Sequence, residues 1–82
     1  MSVSVQLFAR ARDLVGAAFV TLEMPLNATV GDLRRELEAE HPQLKSLLER
    51  SALAINDEFA EDPLIIPSNA RIAILPPVSG GK

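Results

Sequence analysis

The spacing of apolar residues changes twice along this chain, and that change restricts the fold more than any other feature. From Ser2 to Phe8 apolar residues alternate with polar ones, as in a strand with one buried face. A second alternating run covers residues 19–24, and Pro25 ends it because proline cannot donate to a strand ladder. The sequence therefore predicts two strands joined as a long hairpin through residues 9–18.

The period then lengthens to that of a helix in the segment "NATVGDLRRELEAEHP". Thr29 is a plausible N-cap with Asp32 three residues later, and Pro42 is a stop signal. The apolar face of this predicted helix consists of Val30, Leu33 and Leu37. The following "QLKSLLER" predicts a second, shorter helix.

The period returns to two in the last third of the chain. Leu53 and Ile55 indicate a third strand, a brief extended piece follows the "ND" turn, and residues 71–75 form the last strand. The sequence thus predicts an α+β domain at residues 1–75, with a mixed sheet of about five strands packed on one main helix plus a short helix. Residues 76–82 are predicted to be a flexible, extended tail.

Composition excludes several classes of function. The 82-residue chain has no cysteine, so it offers no disulfide, thiolate metal site or thiol nucleophile. Acidic and basic residues are interspersed at a net charge of -3, without the basic stripe of a nucleic-acid binder. No apolar run approaches the ~20 residues that cross a bilayer, and no signal-peptide pattern is visible. We expect a cytoplasmic protein without metal, nucleic-acid or membrane partners.

The carboxyl end, "PPVSGGK", is unusual because it directly follows an apolar strand. Pro76 and Pro77 favour a stiff, extended exit from the sheet. Six residues, from Pro76 to Gly81, reach roughly 20 Å when extended. Gly80 and Gly81 lack a Cβ and so fit a slot too narrow for other residues. Unless it is a disordered linker end, this segment is predicted to present a main-chain carboxylate to a partner enzyme.

Four segments carry a resemblance to a known family, namely "LFARARDLVG", "ATVGDLRRELEAEHP", "LAINDEF" and "IAILPPVSGG". With the order of elements, they resemble the β-grasp fold of ubiquitin. Within that fold they are similar to the small subunit of molybdopterin synthase, the MoaD-type sulfur carriers. The resemblance spans nearly the whole chain. It departs from the family at Ser68 and Asn69, where a Gly-Asp turn is usual.

The resemblance implies a role in molybdenum cofactor biosynthesis. An E1-like adenylyltransferase would use ATP to form an acyl-adenylate on Gly81, and sulfur would then displace AMP to leave a thiocarboxylate. The large synthase subunit would take up this tail and pass the sulfur to a pterin precursor, in a 2+2 heterotetramer. No cofactor is expected on this chain, and ATP is consumed by the activating partner. No catalytic side chain is expected, so whether the chain counts as an enzyme is left open.

The alternation also predicts a docking surface, unless a loop or an edge of the sheet covers the residues that form it. In a β-grasp sheet the first and last strands are parallel neighbours, so Phe8 and Leu75 should meet beside the root of the tail, where Phe59 could join them. Arg12 and Arg71 are expected near this edge, either paired with acids of a partner or simply solvated. Phe19 is predicted to face outward at the start of its strand, and it is expected to fold over the hairpin rather than bind a partner. By the resemblance, the partner-binding tail residues are Pro76, Pro77, Val78 and Ser79.

Lys82 leaves alternatives open, because a lysine after Gly81 displaces the reactive carboxylate. Three explanations are open. A peptidase could remove Lys82, Lys82 could be a remnant of cloning, or this chain could have lost activation and kept only its docking surface. Competing functions are also open. They are a carrier for thiamine, cysteine or tRNA thiolation, a ubiquitin-like modifier that forms isopeptide bonds, and a plain binding module.

Overall fold

The helices of the described chain pack against one face of a five-stranded mixed sheet. The structure is a computed structural model that describes residues 1–75. Its elements in chain order are β1 (Ser2–Gln6), α1 (Ala9–Val15), β2 (Phe19–Glu23), α2 (Val30–Glu40), a 3₁₀ turn (Pro42–Leu44), α3 (Lys45–Leu48), β3 (Ala52–Ile55), β4 (Glu58–Ala60) and β5 (Arg71–Leu75).

The strands lie in the order β2-β1-β5-β3-β4. The first and last strands are parallel neighbours at the centre, with Val5 opposite Ile72, and this confirms the predicted pairing. The other pairs, β1 with β2, β3 with β5 and β3 with β4, are antiparallel. The carboxyl end of the sheet's central strand β5 therefore lies beside the point where β1 gives way to α1.

Helix α2 begins where its capping signals predict. The Thr29 hydroxyl accepts from the Asp32 amide at 3.1 Å, and the Asp32 carboxylate accepts from the Thr29 amide at 3.0 Å. This reciprocal capping box satisfies two donors that a helix start otherwise leaves without partners. The amides of Val30 and Gly31 donate to the carbonyls of Leu64 and Asp62, which ties the helix start to the loop after β4.

One apolar core lies between the sheet and the helices. The inward residues of β1, β2 and β5 meet the apolar face of α2, as the period of each element predicts. Its largest fully buried side chains include Leu7, Leu22, Leu33, Leu37, Leu44, Leu48, Leu53 and Ile74. Each such leucine is worth about 1.5–3 kcal/mol when it leaves water, so the core stabilises the sheet without metals or disulfides.

The hairpin between β1 and β2 is confirmed, but its connection contains a helix that the sequence analysis did not predict. Ala9–Val15 are mostly good helix formers, and Ala11 is buried in the core. Gly16 ends α1 in the left-handed region at φ 83°, where its amide donates to the Arg12 carbonyl. β1 accordingly ends at Gln6, two residues earlier than predicted.

Within residues 1–75 no helix has the length and apolar character needed to cross a membrane.

Candidate functional site

The candidate site lies on the outer face of the sheet, opposite the helices. Strand pairing places one row of outward side chains across all five strands, in the order Phe19, Gln6, Ala73, Ala54 and Phe59. The centre of this row is formed by small residues and its two ends by phenylalanines. The face is therefore low in the middle and high at its edges, a shape that can receive a protruding partner surface.

A cavity of about 250 Å³ opens on this face along β5, from Arg71 to Leu75. It is lined by Gln6, Phe8, Ala54, Asp57, Arg71, Ile72, Ala73 and Leu75. Ala54 lines the cavity although it is only 7% exposed. The cavity is mainly apolar, with polar groups on one side.

Phe8 and Leu75 come together in this cavity, as the sequence predicted from the parallel pairing of their strands. Phe8 has an extended backbone and is the N-cap of α1, and its carbonyl accepts from the Ala11 amide at 3.0 Å. The start of α1 thus fixes the backbone of Phe8, while its side chain stays 39% exposed. An exposed aromatic ring on a fixed backbone is suited to binding a partner, since little conformational entropy is lost on docking.

Phe59 points to the same face but does not join Phe8 and Leu75. It lies on the edge strand β4, is 78% exposed and lines a neighbouring cavity of about 400 Å³ with Leu64 and Ile65. This second cavity borders the edge strand β4 and the loop after it, and neither Phe8 nor Leu75 lines it. The sequence analysis missed Leu64 and Ile65, because their exposure depends on how the loop after β4 packs.

Arg71 lies at the polar side of the first cavity, whereas Arg12 does not line it. The Arg71 amide donates to Asn56 Oδ1 at 2.9 Å, and its guanidinium donates to Asp57 Oδ2 at 2.9 Å. Arg12 is exposed on α1. Only Arg71 of the two predicted arginines belongs to the cavity.

Phe19 does not fold over the hairpin, in contrast to the prediction. It is 56% exposed and lines a cavity of about 210 Å³ together with Ser4, Gln6 and Arg71. Its predicted outward orientation is correct, since Phe19 pairs with the outward-facing Gln6.

The predicted tail residues Pro76, Pro77, Val78, Ser79, Gly80, Gly81 and Lys82 lie outside the described residues. The last described residue, Leu75, forms part of the cavity wall. Whatever follows β5 in the chain therefore starts at the candidate site.

Two carboxyl groups have displaced pKa values, and both lie on α2, on the other side of the sheet. The hydrogen bond from the Thr29 amide is the main cause that lowers the pKa of Asp32. A hydrogen bond with Glu40 is the main cause that raises the pKa of Glu36. Among residues 1–75 no cluster of three or more potential metal ligands occurs.

A protein-family model matches nearly the whole chain. The model of the family described as "ThiS family" matches residues 5–81. Among curated proteins, the chain is 38% identical to the molybdopterin synthase sulfur carrier subunit of Arabidopsis thaliana, over 99% of this chain and 84% of that protein. It is 40% identical to the protein of the same name from Dictyostelium discoideum, over 94% of this chain and 93% of that protein.

Solved structures share the fold. SAMP1 from Haloferax volcanii, a small archaeal modifier protein, superposes with a TM-score of 0.86 at 29% identity, over 99% of this chain and 100% of that chain. A protein–protein complex of subunits 1 and 2 of the molybdopterin-converting factor from Helicobacter pylori contains a chain that matches with a TM-score of 0.70 at 28% identity. That match covers 99% of this chain and 100% of the other. The predicted ubiquitin-like β-grasp fold is thereby confirmed.

Proposed function

The chain belongs to the ThiS family, and from that membership we propose that it is the sulfur carrier subunit of a molybdopterin synthase. The observation that carries the proposal is the match over nearly the full length to two curated proteins of that name, one of them 40% identical. The geometry supports it, since the cavity is lined by β5, whose last residue Leu75 directly precedes the segment "PPVSGG" in the sequence.

The chemistry belongs to the main-chain carboxylate of Gly81 rather than to a side chain. A carboxylate is a poor electrophile, so an E1-like adenylyltransferase first couples it to ATP, which forms an acyl-adenylate and releases pyrophosphate. Hydrosulfide, or a sulfur donor that delivers its equivalent, attacks the acyl carbon and AMP leaves with the bonding electrons. The product is a thiocarboxylate whose sulfur is nucleophilic. The chain itself holds no cofactor in this scheme.

The folded domain holds the tail in place for this chemistry. Docking through Phe8 and Leu75 would keep the terminus near the reacting carbon of the pterin precursor, so the second step proceeds at a high effective concentration. The proposed partner is the large synthase subunit, in a 2+2 heterotetramer. The Helicobacter complex supports such a pairing of subunits.

Lys82 must be absent from the reactive form, because it places a side chain and one more peptide bond beyond Gly81. We propose that a peptidase removes it before activation. A cytoplasmic location fits a carrier that exchanges between two enzymes.

Deletion of residues 80–82 tests the proposal by separating docking from chemistry. We expect the shortened chain still to bind the large subunit through the surface that contains Phe8 and Leu75, and to support no molybdopterin formation from the pterin precursor. The matched control is a chain that ends at Gly81 and should support full turnover. Product formation by the shortened chain would contradict the proposal.

A second function is favoured by one observation, the likeness to SAMP1 at a TM-score of 0.86. A modifier of that type would form isopeptide bonds between Gly81 and lysines of target proteins. Conjugates of higher mass in cell lysate, lost when residues 80–82 are deleted, would identify this function. Free thiocarboxylate without conjugates would identify the carrier.

A further inference from the structure

The outer face of the sheet carries a single cation among its strand residues in the described chain. The outward residues are Ser2, Ser4 and Gln6 of β1, Phe19, Thr21 and Glu23 of β2, Ala52 and Ala54 of β3, Phe59 of β4, and Arg71, Ala73 and Leu75 of β5. Arg71 lines both the cavity that contains Phe8 and the one that contains Phe19. A partner that covers this face will therefore surround its guanidinium.

Backbone contacts fix the position from which Arg71 projects. Its amide donates to Asn56 Oδ1 at 2.9 Å, and its carbonyl accepts from the Asn56 amide at 2.8 Å. Asn56 and Asp57 form the turn between β3 and β4 in the left-handed region, at φ 51° and 72°. This is the geometry of a two-residue hairpin turn, which Asn and Asp tolerate. The turn thus holds both the backbone of Arg71 and the carboxylate of Asp57.

Most of the hydrogen-bonding capacity of Arg71 is not used within residues 1–75. Its guanidinium makes one hydrogen bond, from Nη2 to Asp57 Oδ2, although it carries five N–H donors. The side chains of the pair are 77% and 84% exposed, so water satisfies the other donors. Ion pairs this exposed contribute little to stability, and the bond to Asp57 can be exchanged at little cost.

Docking of a partner removes the water that hydrogen-bonds to the unused N–H donors of Arg71. An arginine covered by an apolar partner with one hydrogen bond would leave several donors unsatisfied, which costs binding free energy. A partner carboxylate can accept two parallel N–H bonds from the guanidinium fork. Charge and geometry therefore favour an acidic residue in the partner surface that covers the cavity.

We propose that Arg71 is a receptor for a carboxylate of the large synthase subunit, and that Asp57 occupies it until docking. The inference rests on the proposed function and adds to it the chemistry of the partner's contact surface. Asp57 acts as an internal competitor, so its charge weakens docking. Arg71 acts as a specificity residue that rejects surfaces without an acid at this place.

Titration calorimetry with the purified large subunit tests this at low and physiological salt. Arg71→Gln should weaken binding at least about tenfold, because it leaves the partner carboxylate buried and unpaired. Asp57→Asn, which keeps the side-chain shape and the turn, should tighten binding by about twofold to fivefold. The matched control is Asp62→Asn, which removes the same charge from an exposed ion pair with Arg34 on the helix side and should leave affinity unchanged.

The sign of the Asp57→Asn effect decides the inference. Weaker binding of Asp57→Asn would mean that Asp57 neutralises Arg71 in the complex, and this result would overturn the proposal. Unchanged affinity of Arg71→Gln would also overturn it. Phe8→Asp separates this from the proposed function. If Phe8→Asp abolishes binding while Arg71→Gln and Asp57→Asn bind the large subunit with unchanged affinity, only the carboxylate receptor is refuted. If Phe8→Asp also binds normally, the proposed docking face is refuted with it.

Discussion

Thr29 and Asp32 show how two side chains fix the start of an element that forms much of the core. Their reciprocal hydrogen bonds, at 3.0 and 3.1 Å, hold the first turn of α2. The same turn buries Val30 and Leu33 against the sheet. The docking face on the other side of the sheet depends on this packing, although neither capping residue lies near it.

Thr29→Ala should lower the free energy of unfolding by about 1 kcal/mol, since it removes the hydroxyl that accepts from the Asp32 amide. Urea denaturation at neutral pH measures this. Thr29→Ser keeps the hydroxyl, and serine caps helices at least as well as threonine, so this variant should unfold with nearly unchanged free energy. Equal stability of Thr29→Ala and the unmodified chain would show that the cap is not formed in solution.

The carboxylate of the same cap predicts a pH dependence. The pKa of Asp32 is lowered in the folded chain, chiefly by the hydrogen bond from the Thr29 amide, relative to its ordinary value of 3.8. The folded state thus binds this proton less readily than the unfolded state. The contribution of Asp32 is therefore fully present above pH 3.8 and lost as the pH falls through the lower folded pKa.

Urea denaturation of the unmodified chain and Asp32→Asn across pH 2 to 7 checks this expectation. The difference in unfolding free energy between the two should be constant near neutral pH and should shrink in the acid range. A difference that grows as the pH falls would contradict the assignment of the cap to the ionised carboxylate.

Strand β5 connects the fold to the proposed function. Its inward residues Ile72 and Ile74 belong to the core, and its outward residues Ala73 and Leu75 line the docking cavity. Substitutions on the outward side should therefore change docking without changing the core.

Ala73→Leu should fill the cavity floor and weaken binding of the large subunit by about tenfold or more, as for residues at the centre of an interface. Its unfolding free energy should change by about 0.5 kcal/mol or less, because the added atoms point to solvent. Calorimetry and urea denaturation measure the two quantities. Ala39→Leu makes the same change on the exposed side of α2 and should alter neither. A large loss of stability in Ala73→Leu would show that the face is not free.

Much of the chain's architecture could be predicted from the sequence, because local signals and the overall fold agree. The alternation of apolar residues predicted the strands, and Thr29 and Pro42 predicted where α2 begins and ends. The expected parallel pairing of the first and last strands placed Phe8 beside Leu75. Helix α1 was missed because seven residues with several charges give too short a periodic signal.

The rest could not be predicted because it depends on register and backbone conformation. The contacts of Asn56 and Asp57 with Arg71 require positive φ at both turn residues and antiparallel pairing of β3 with β5. The exposure of Leu64 depends on how the loop after β4 packs against residues that are distant in the sequence.

We place the reactive group at the end of the main chain and propose that the folded domain positions the tail. Intact-mass spectrometry can test this with chains ending at Gly81 and at Lys82, each incubated with ATP, the adenylyltransferase and a sulfur donor. The account predicts that the chain ending at Gly81 gains the mass difference between a sulfur and an oxygen atom. The chain ending at Lys82 should stay unmodified unless the lysine is first removed. Sulfur incorporation with Lys82 still attached, or none in the chain ending at Gly81, would contradict the account.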